Sequence, residues 1–412
     1  MASRLPRARG GGAPPRRRPL RPTRLRRWLR LPTAVLLLSL VTLAGCRDER
    51  TGPTASLSLS ETMAGADTVG YARAVEVRDF TFPADHGPHP DFRTEWWYLT
   101  GNLDGPEGRR IGYQLTLFRS AVAPSPPEVA SAWGTNQAWM GHFALTDAAG
   151  GRFHAFDRFA RGAVGLAGAE ARPFRVWLED WTLEAAEGSG DAFPMRLRAD
   201  EGEVGLELVM EPAKPRVLQG EEGLSQKGPE PGNASYYYAY TRLATRGSVR
   251  LGEETLPVTG LSWMDREWST SALSEGQVGW DWFALQLDDG WDLMIYQIRG
   301  EDGSPDPLSD GVLIGPDGAR TPLTWGDDVT LEVLDEWRSP VDGSAYPSGW
   351  RIRIPERGWD LRVEPVLEDQ ELNLAFRYWE GAVDVTGETA RGPVSGRGYV
   401  ELTGYAGERP ER

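Results

Sequence analysis

The 412-residue chain has little of what disulfides and most metal sites require. It contains one cysteine and four histidines, which excludes an intramolecular disulfide and a cysteine-based zinc cluster and argues against a histidine-rich metal site. The sequence also lacks the motifs of P-loop enzymes, dinucleotide-binding domains and zinc proteases, and the Gly-x-Ser-x-Gly turn of α/β-hydrolases. We therefore predict that the protein uses no metal and no cofactor.

Positive and negative charges are unevenly distributed along the chain, and its first 45 residues contain no acidic residue. Residues 1–30 hold eleven arginines and no acidic residue, and residues 31–45 carry no charge. Because the whole chain has a formal net charge of −15, residues 46–412 carry −26. Such an acidic body does not offer the basic surface that nucleic acids bind, so we predict no nucleic-acid partner.

The N-terminal segment resembles an export signal. An apolar run over residues 31–43 follows the arginines, and it fits a signal sequence because it is too short to span a bilayer as a helix. Residues 43–46 read Leu-Ala-Gly-Cys, which resembles the bacterial lipobox, whose cysteine is diacylated. We expect a signal peptide over 1–45, a lipid anchor on Cys46 and a flexible tether over 46–75, on the periplasmic or extracellular face of the cell envelope. The alternative is a plain secretory signal with an incidental Cys46.

From about residue 75 onward the hydrophobic period is two, as in β-strands. Alternating runs around Gly and Asp turns predict hairpins, most clearly residues 282–287 and 291–298 around Asp288-Asp-Gly290. No window after residue 50 predicts a helix of three or more turns. We predict an all-β chain in two units that join near residues 247–261. A loop rich in Gly, Pro, Glu and Gln over 214–233 either covers a barrel mouth or is a surface loop.

Three short segments combine acidic and aromatic residues. Residues two apart in a strand share a face, so Asp265 and Glu267 should point the same way. If that face lines an apolar cavity, burial raises the carboxyl pKa and keeps one acid protonated near neutral pH. The alternative is structural, with carboxylates paired to arginine while the rings fill the core. The segments contain Glu95-Trp-Trp-Tyr98, Trp263-Met-Asp265-Arg-Glu267-Trp268 and Trp280-Asp281-Trp282.

The histidines give a second, smaller set of candidates. His142 lies in a predicted strand, where it is either a hydrogen-bonded core residue or a base in a site. His86 and His89 lie in a proline-rich loop without further histidine or cysteine nearby, which argues against a metal site there.

These segments, in this order, resemble the family of lipocalin-like bacterial proteins that contains AttH and carotenoid 1,2-hydratase. The first motif is His-Pro-Asp-Phe-Arg-Thr-Glu-Trp-Trp-Tyr-Leu-Thr-Gly-Asn-Leu at 89–103, and the later ones lie at 141–147, 262–268, 279–283 and 396–405. The resemblance covers about residues 76–406. It implies two tandem lipocalin-like antiparallel β-barrels, which we expect over 76–255 and 256–412.

The chain departs from the hydratase members at two places. Those members carry a His-rich version of the second acidic and aromatic segment, residues 263–268 here, and a Tyr-x-Asp acid after it. Here residues 264–269 read Met-Asp-Arg-Glu-Trp-Ser and residues 293–298 read Leu-Met-Ile-Tyr-Gln-Ile, so the tryptophan is kept while the histidines and the aspartate are absent. The resemblance therefore places the chain in the AttH branch.

Two functions stay open at this point. In the first, an envelope lipoprotein binds an apolar ligand, such as a lipid, terpenoid or polyene, and serves as a carrier or accessory to an ABC transporter. In the second, a hydratase- or hydrolase-like enzyme protonates an alkene of an isoprenoid or lipid. The missing hydratase residues favour the carrier, whereas the concentration of acids favours the enzyme.

The candidate residues follow from the clusters and the resemblance. We expect Asp265 and Glu267 to line a cavity at the barrel junction, with Arg266 either facing away or paired across the sheet. The candidate catalytic residues are Asp265, Glu267 and Asp281, and the candidate ligand-binding residues are Glu95, Trp97, Tyr98, His142, Trp263, Trp268, Trp282 and Tyr296.

Overall fold

A computed structural model describes residues 68–187, 191–270 and 273–406. The predicted signal segment, Cys46 and the tether up to residue 67 lie outside these ranges. Within the described ranges, no helix is long and apolar enough to cross a membrane. The helices found there are three short 3-10 turns, Ala84–His86, Pro106–Gly108 and Pro355–Arg357.

Twenty-five strands make up the regular structure of the described residues. The first thirteen are β1 Thr94–Asp104, β2 Arg110–Ala121, β3 Gln137–Asp147, β4 Arg152–Arg161, β5 Ala167–Ala171, β6 Phe174–Leu178, β7 Trp181–Ala185, β8 Met195–Glu201, β9 Val204–Pro212, β10 Val217–Leu218, β11 Leu224–Gln226, β12 Ala234–Leu251 and β13 Glu254–Ser269. The other twelve are β14 Gln277–Leu287, β15 Asp292–Gly300, β16 Asp310–Ile314, β17 Arg320–Thr324, β18 Thr330–Val333, β19 Glu336–Arg338, β20 Ala345–Pro347, β21 Trp350–Ile354, β22 Trp359–Pro365, β23 Glu371–Asn373, β24 Arg377–Thr389 and β25 Gly392–Leu402.

The strands form two large antiparallel sheets and one small one. The first sheet runs β4-β3-β2-β1-β13-β12-β9-β8-β7-β6-β5, with β10 and β11 also paired to β12, and it curls into a nearly closed barrel. The second runs β17-β16-β15-β14-β25-β24-β22-β21-β18, with β23 paired to β24, and β19 pairs with β20. The predicted fold class, all-β with two lipocalin-like antiparallel barrels in tandem, is confirmed.

The chain passes from the first sheet to the second between β13 and β14. Residues 256–269, predicted to open the second domain, are therefore part of a strand of the first sheet, where β13 pairs with both β1 and β12. The predicted join at 247–261 is instead the β12–β13 hairpin. The division into domains over 76–255 and 256–412 stays a prediction. Hairpin signals locate turns well, but they do not say to which sheet a hairpin belongs.

Each barrel has its own hydrophobic core, and a third core lies between the barrels. The first core contains Trp97, Leu99 and Trp268, and the second contains Phe283 and Trp379. The third joins the outer faces of the two sheets. Its members include Tyr98, Tyr237, Trp263, Trp282, Tyr296 and Tyr399. The central strands are therefore apolar on both faces, and the junction is built like an interior.

One glycine allows the barrels to approach each other closely. A Cβ atom at Gly112 of β2 would lie 2.7 Å from the Cβ of Ala382 in β24 and 2.9 Å from the hydroxyl of Tyr399 in β25. Glycine is therefore required where β2 crosses the second sheet.

Candidate active site between the two barrels

A pocket opens between the two barrels, beside the third core. The empty space within it, including its open mouth, is about 850 Å³. Strands β1, β2, β12 and β13 form one wall, and β14, β15, β24 and β25 form the other. The aromatic lining consists of Trp96, Tyr98, Phe118, Tyr237, Trp280, Trp282, Tyr296 and Tyr378. Four carboxyl groups and one lysine lie among these rings.

The alternation of side chains along β1 and β13 decides which residues face the pocket. On β1, Trp96 and Tyr98 point to the junction, whereas Trp97 points into the first barrel. On the neighbouring β13, Asp265 lies opposite Tyr98 and Glu267 lies opposite Trp96, so both acids also face the junction. The structure therefore places Asp265 and Glu267 in a cavity at the barrel junction.

Asp265 is an acid with an unusually high proton affinity. Its side chain is buried, accepts a hydrogen bond from the hydroxyl of Tyr237 at 2.6 Å and accepts another from the indole of Trp263 at 2.8 Å. Burial raises the pKa of Asp265 to about 7, against the effect of these two hydrogen bonds. The group is therefore half protonated near neutral pH and held in one orientation.

The segment 214–233 borders the pocket and supplies its lysine. Strands β10 and β11 fix this segment to β12. The Nζ atom of Lys227 lies 3.7 Å from Glu267 Oε1 and 4.1 Å from the centre of the Tyr296 ring. Burial lowers the pKa of Lys227, but the combined effects of Glu267, Tyr296 and Asp310 outweigh it, so the net shift is upward and the lysine is cationic. The segment therefore borders the pocket between the barrels, and its predicted role at a barrel mouth stays a prediction.

Two more carboxyl groups face the pocket from the second barrel. Glu380 of β24 and Glu401 of β25 lie directly opposite each other in the sheet. The hydroxyl of Tyr98, which belongs to the first barrel, donates to Glu380 Oε1 at 2.5 Å. Burial, together with the proximity of Glu401, raises the pKa of Glu380 well above its usual range. Burial likewise raises the pKa of Glu401, with Asp265 and Glu267 adding to the shift.

His142 lies behind this second group. It is fully buried on the junction face of β3, and its Nδ1 lies 2.8 Å from the hydroxyl of Tyr378. Burial lowers the pKa of His142 to about 3, so the ring is neutral. Its Nε2 has no hydrogen-bond partner among the described residues. A buried N–H without a partner is costly, which favours the tautomer in which Nδ1 carries the proton and donates to Tyr378.

The remaining predicted binding residues near the pocket are aromatic. Trp282 and Tyr296 line it, and Trp263 lies in the third core beside Asp265. The ring of Trp282 packs edge-on against Tyr98 at 5.1 Å and against Trp263 at 6.2 Å. These contacts hold the rings of the two barrels in fixed positions around the acid.

The other predicted residues of the first barrel lie on the opposite face of the sheet. Arg266 points inward and, together with Arg119, pairs with the fully buried Glu95. Burial alone raises the pKa of Glu95, but the charges of the two arginines outweigh it and hold the pKa well below its usual range. Trp268 stacks on His89 with ring centres 3.7 Å apart. Glu95, Trp97 and Trp268 therefore fill the barrel interior, and we do not include them in the proposed site.

Asp281 also faces away from the pocket. It accepts hydrogen bonds from Arg299 at 3.0 Å and from the hydroxyl of Tyr405 at 3.0 Å, inside the second barrel. Its neighbours Trp280 and Trp282 lie on the pocket side, as the strand alternation predicts. This ion pair gives Asp281 a structural environment, so we leave it out of the proposed site too.

The sequence analysis did not single out Glu380, Glu401, Tyr237 or Lys227. A signal existed for Glu380, because Tyr378-Trp-Glu380 repeats the aromatic–carboxylate pattern of the other clusters. No local pattern connects Glu401 with Asp265, which are neighbours only in the folded protein. Within the described ranges, no group of three or more His, Cys, Asp or Glu side chains has an arrangement that could hold a metal ion.

Comparison with solved structures places this architecture among known proteins. A protein from Nitrosomonas europaea described as AttH is 36% identical, covers 81% of this chain over 100% of its own length, and has a TM-score of 0.70. Kievitone hydratase from Nectria haematococca shares the fold, with 15% identity, a TM-score of 0.61, and coverage of 82% of this chain and 97% of its own.

Comparison of sequences gives a consistent result. Kievitone hydratase of Fusarium solani subsp. phaseoli is 23% identical over 224 residues, a match that spans 50% of this chain and 59% of the relative. The sequence model of the AttH-like family matches residues 73–405, which include both barrels and every residue of the junction pocket. The chain is therefore a member of the AttH-like family.

Proposed function

We propose that the protein binds an apolar small molecule in the junction pocket and adds water to one of its carbon–carbon double bonds. The observation that carries this proposal is Asp265, an acid buried in the wall of an aromatic pocket, where burial raises its pKa to about 7 and keeps part of it protonated near neutral pH. A carrier of apolar ligands needs no such group, since burying an acid weakens the fold. The hydratases among the relatives support the same reaction type.

The pocket supplies what acid-catalysed hydration requires. A neutral carboxylic acid in an apolar site can donate its proton to an alkene carbon. The positive charge that develops on the second carbon is stabilised by the faces of nearby aromatic rings, here Trp282 and Trp96. The hydrogen bonds from Tyr237 and Trp263 orient Asp265 and stabilise the carboxylate that it leaves behind.

The test uses the full-length protein and a panel of mono-, sesqui- and diterpene alkenes in ¹⁸O-labelled water, with mass spectrometry of the products. We expect the wild type to form labelled alcohols. Asp265→Asn should bind the same compounds and lower the rate by about 10²–10⁴-fold, the usual contribution of a general acid. The matched control is Asp327→Asn, at an exposed position outside the pocket. Binding without any labelled product from the wild type would contradict the proposal.

A carrier function is the second candidate, and the apolar lining of the pocket favours it. In that case the protein is an envelope lipoprotein, anchored through Cys46, that passes a lipid, terpenoid or polyene to or from an ABC transporter. Apolar material that copurifies with the protein and is recovered chemically unchanged after incubation would support the carrier over the enzyme.

A further inference from the structure

The junction pocket contains a second acidic group that the proposed role of Asp265 does not use. Glu380 and Glu401 are directly opposite residues of the antiparallel strands β24 and β25, and both face the pocket. Opposite side chains in such a pair have Cβ atoms about 4.5–5.5 Å apart. Glu380 is only 1% exposed. Two carboxylates that are this close, one of them deeply buried, resist being ionised together, so at least one of them holds a proton near neutral pH.

The surroundings of Glu380 stabilise one negative charge on the pair. Among the described residues no salt bridge involves Glu380, whereas the hydroxyl of Tyr98 donates to it at 2.5 Å. Tyr378, which is hydrogen-bonded to His142, lies close enough to Glu380 to lower its pKa, against the effect of burial. Neutral hydroxyl donors stabilise one negative charge without adding a counter-ion. This distinguishes the pair from Glu95, whose carboxylate is neutralised by two arginines.

The pair and Asp265 belong to opposite walls of the same pocket. Asp265 projects from β13 of the first barrel, and the glutamates project from the second barrel. They are close enough for the charge of Asp265 to raise the pKa of Glu401. Tyr98 connects the two groups, because it lies opposite Asp265 in the first sheet and donates to Glu380 in the second. A ligand in the pocket therefore lies between an acid and a second proton-exchanging group.

We propose that Glu380 and Glu401 together form the general base of the hydration. The inference rests on the proposed function. Asp265 gives its proton to one alkene carbon, and its O–H bond breaks as the C–H bond forms. Water then forms a C–O bond with the cationic carbon and loses a proton to the ionised member of the pair. The pair now holds two protons and Asp265 none, so one proton returns through water in the pocket and restores the enzyme. The net reaction is alkene plus water to alcohol.

The proton on the pair can be tested without a substrate. Infrared difference spectra of the full chain with ¹³C-labelled glutamate, recorded as a function of pH, report protonated glutamate directly. We expect at least one protonated glutamate at neutral pH in the wild type and in Glu388→Gln, the control variant at an exposed glutamate of the same strand. In Glu401→Gln, the pH at which Glu380 is half protonated should be lower than in the wild type, because the neighbouring carboxylate no longer repels its negative charge. A wild type without protonated glutamate at neutral pH would overturn the inference.

The role in catalysis is tested with Glu380→Gln and Glu401→Gln in the ¹⁸O assay. We expect each variant to keep its melting temperature at neutral pH, since the amide removes a repulsion, and to lose hydration by about 10²-fold or more. Hydration within threefold of the wild type in both variants, with Asp265→Asn still inactive, would overturn this inference and leave the proposed function standing. A wild type that hydrates nothing would overturn both.

Discussion

Replacing Asp265 by Asn is expected to stabilise the folded protein more at high pH than at low pH. Below the ordinary pKa of 3.8 the carboxyl is protonated in both the folded and the unfolded chain. Between pH 3.8 and about 7, only the folded chain holds the proton, so the stability that this group contributes falls as pH rises. Above pH 7 the loss is complete. The amide does not ionise and escapes this loss.

The magnitude follows from the raised pKa. Between about pH 5 and the pKa of about 7, the free energy of unfolding of the wild type falls with each pH unit. Each unit corresponds to about 1.4 kcal/mol, and little further loss follows up to about pH 8. The free energy of unfolding of Asp265→Asn relative to wild type should therefore rise by about 3 kcal/mol between these two conditions. Any constant effect of the amide on the hydrogen bonds with Tyr237 and Trp263 cancels in the comparison.

Urea unfolding at the two pH values measures this difference, and Glu95→Gln is the matched control. The Glu95 carboxylate is ionised at both pH values, because Arg119 and Arg266 hold its pKa low. Its replacement leaves buried arginines without a counter-ion, and the variant should lose about 3–5 kcal/mol at either pH. If the relative stability of Asp265→Asn does not change with pH, the inference that burial raises the pKa of Asp265 is incorrect.

Three further results are expected. Gly112→Ala should lower the free energy of unfolding by about 1–3 kcal/mol in urea titrations, because its Cβ would overlap that of Ala382 across the junction; unchanged stability would show that the barrels can shift apart. Asp292→Asn should cost about 3–5 kcal/mol in the same assay, since Lys214, 2.7 Å away, would lose its buried partner; a loss below 1 kcal/mol would contradict this. Cys46→Ser should move the protein from the membrane fraction to the soluble fraction, because diacylation anchors stably; sedimentation with membranes in high salt would refute the lipobox.

The candidate site could be predicted only in part. Strand periodicity correctly placed Asp265 and Glu267 on one face of β13 and Trp280 and Trp282 opposite Asp281. It could not tell which face meets the pocket, because the central strands are apolar on both faces. Glu95 and Asp265 therefore looked alike in the sequence, although arginines neutralise the first and the second lies in an aromatic pocket without such a partner.

What the sequence determined by itself was the fold and the family. The alternating period and the turn residues depend on neighbours along the chain, and they indicated an all-β chain in two units. The ordered aromatic motifs indicated the AttH-like resemblance, which implied the tandem barrels, and both the family and the fold are confirmed. The tertiary structure alone decided where the chemistry lies. Asp265 lies more than one hundred residues before Glu380 and Glu401 in the chain. The proton affinities of the three acids arise from burial between two sheets, which no local pattern encodes.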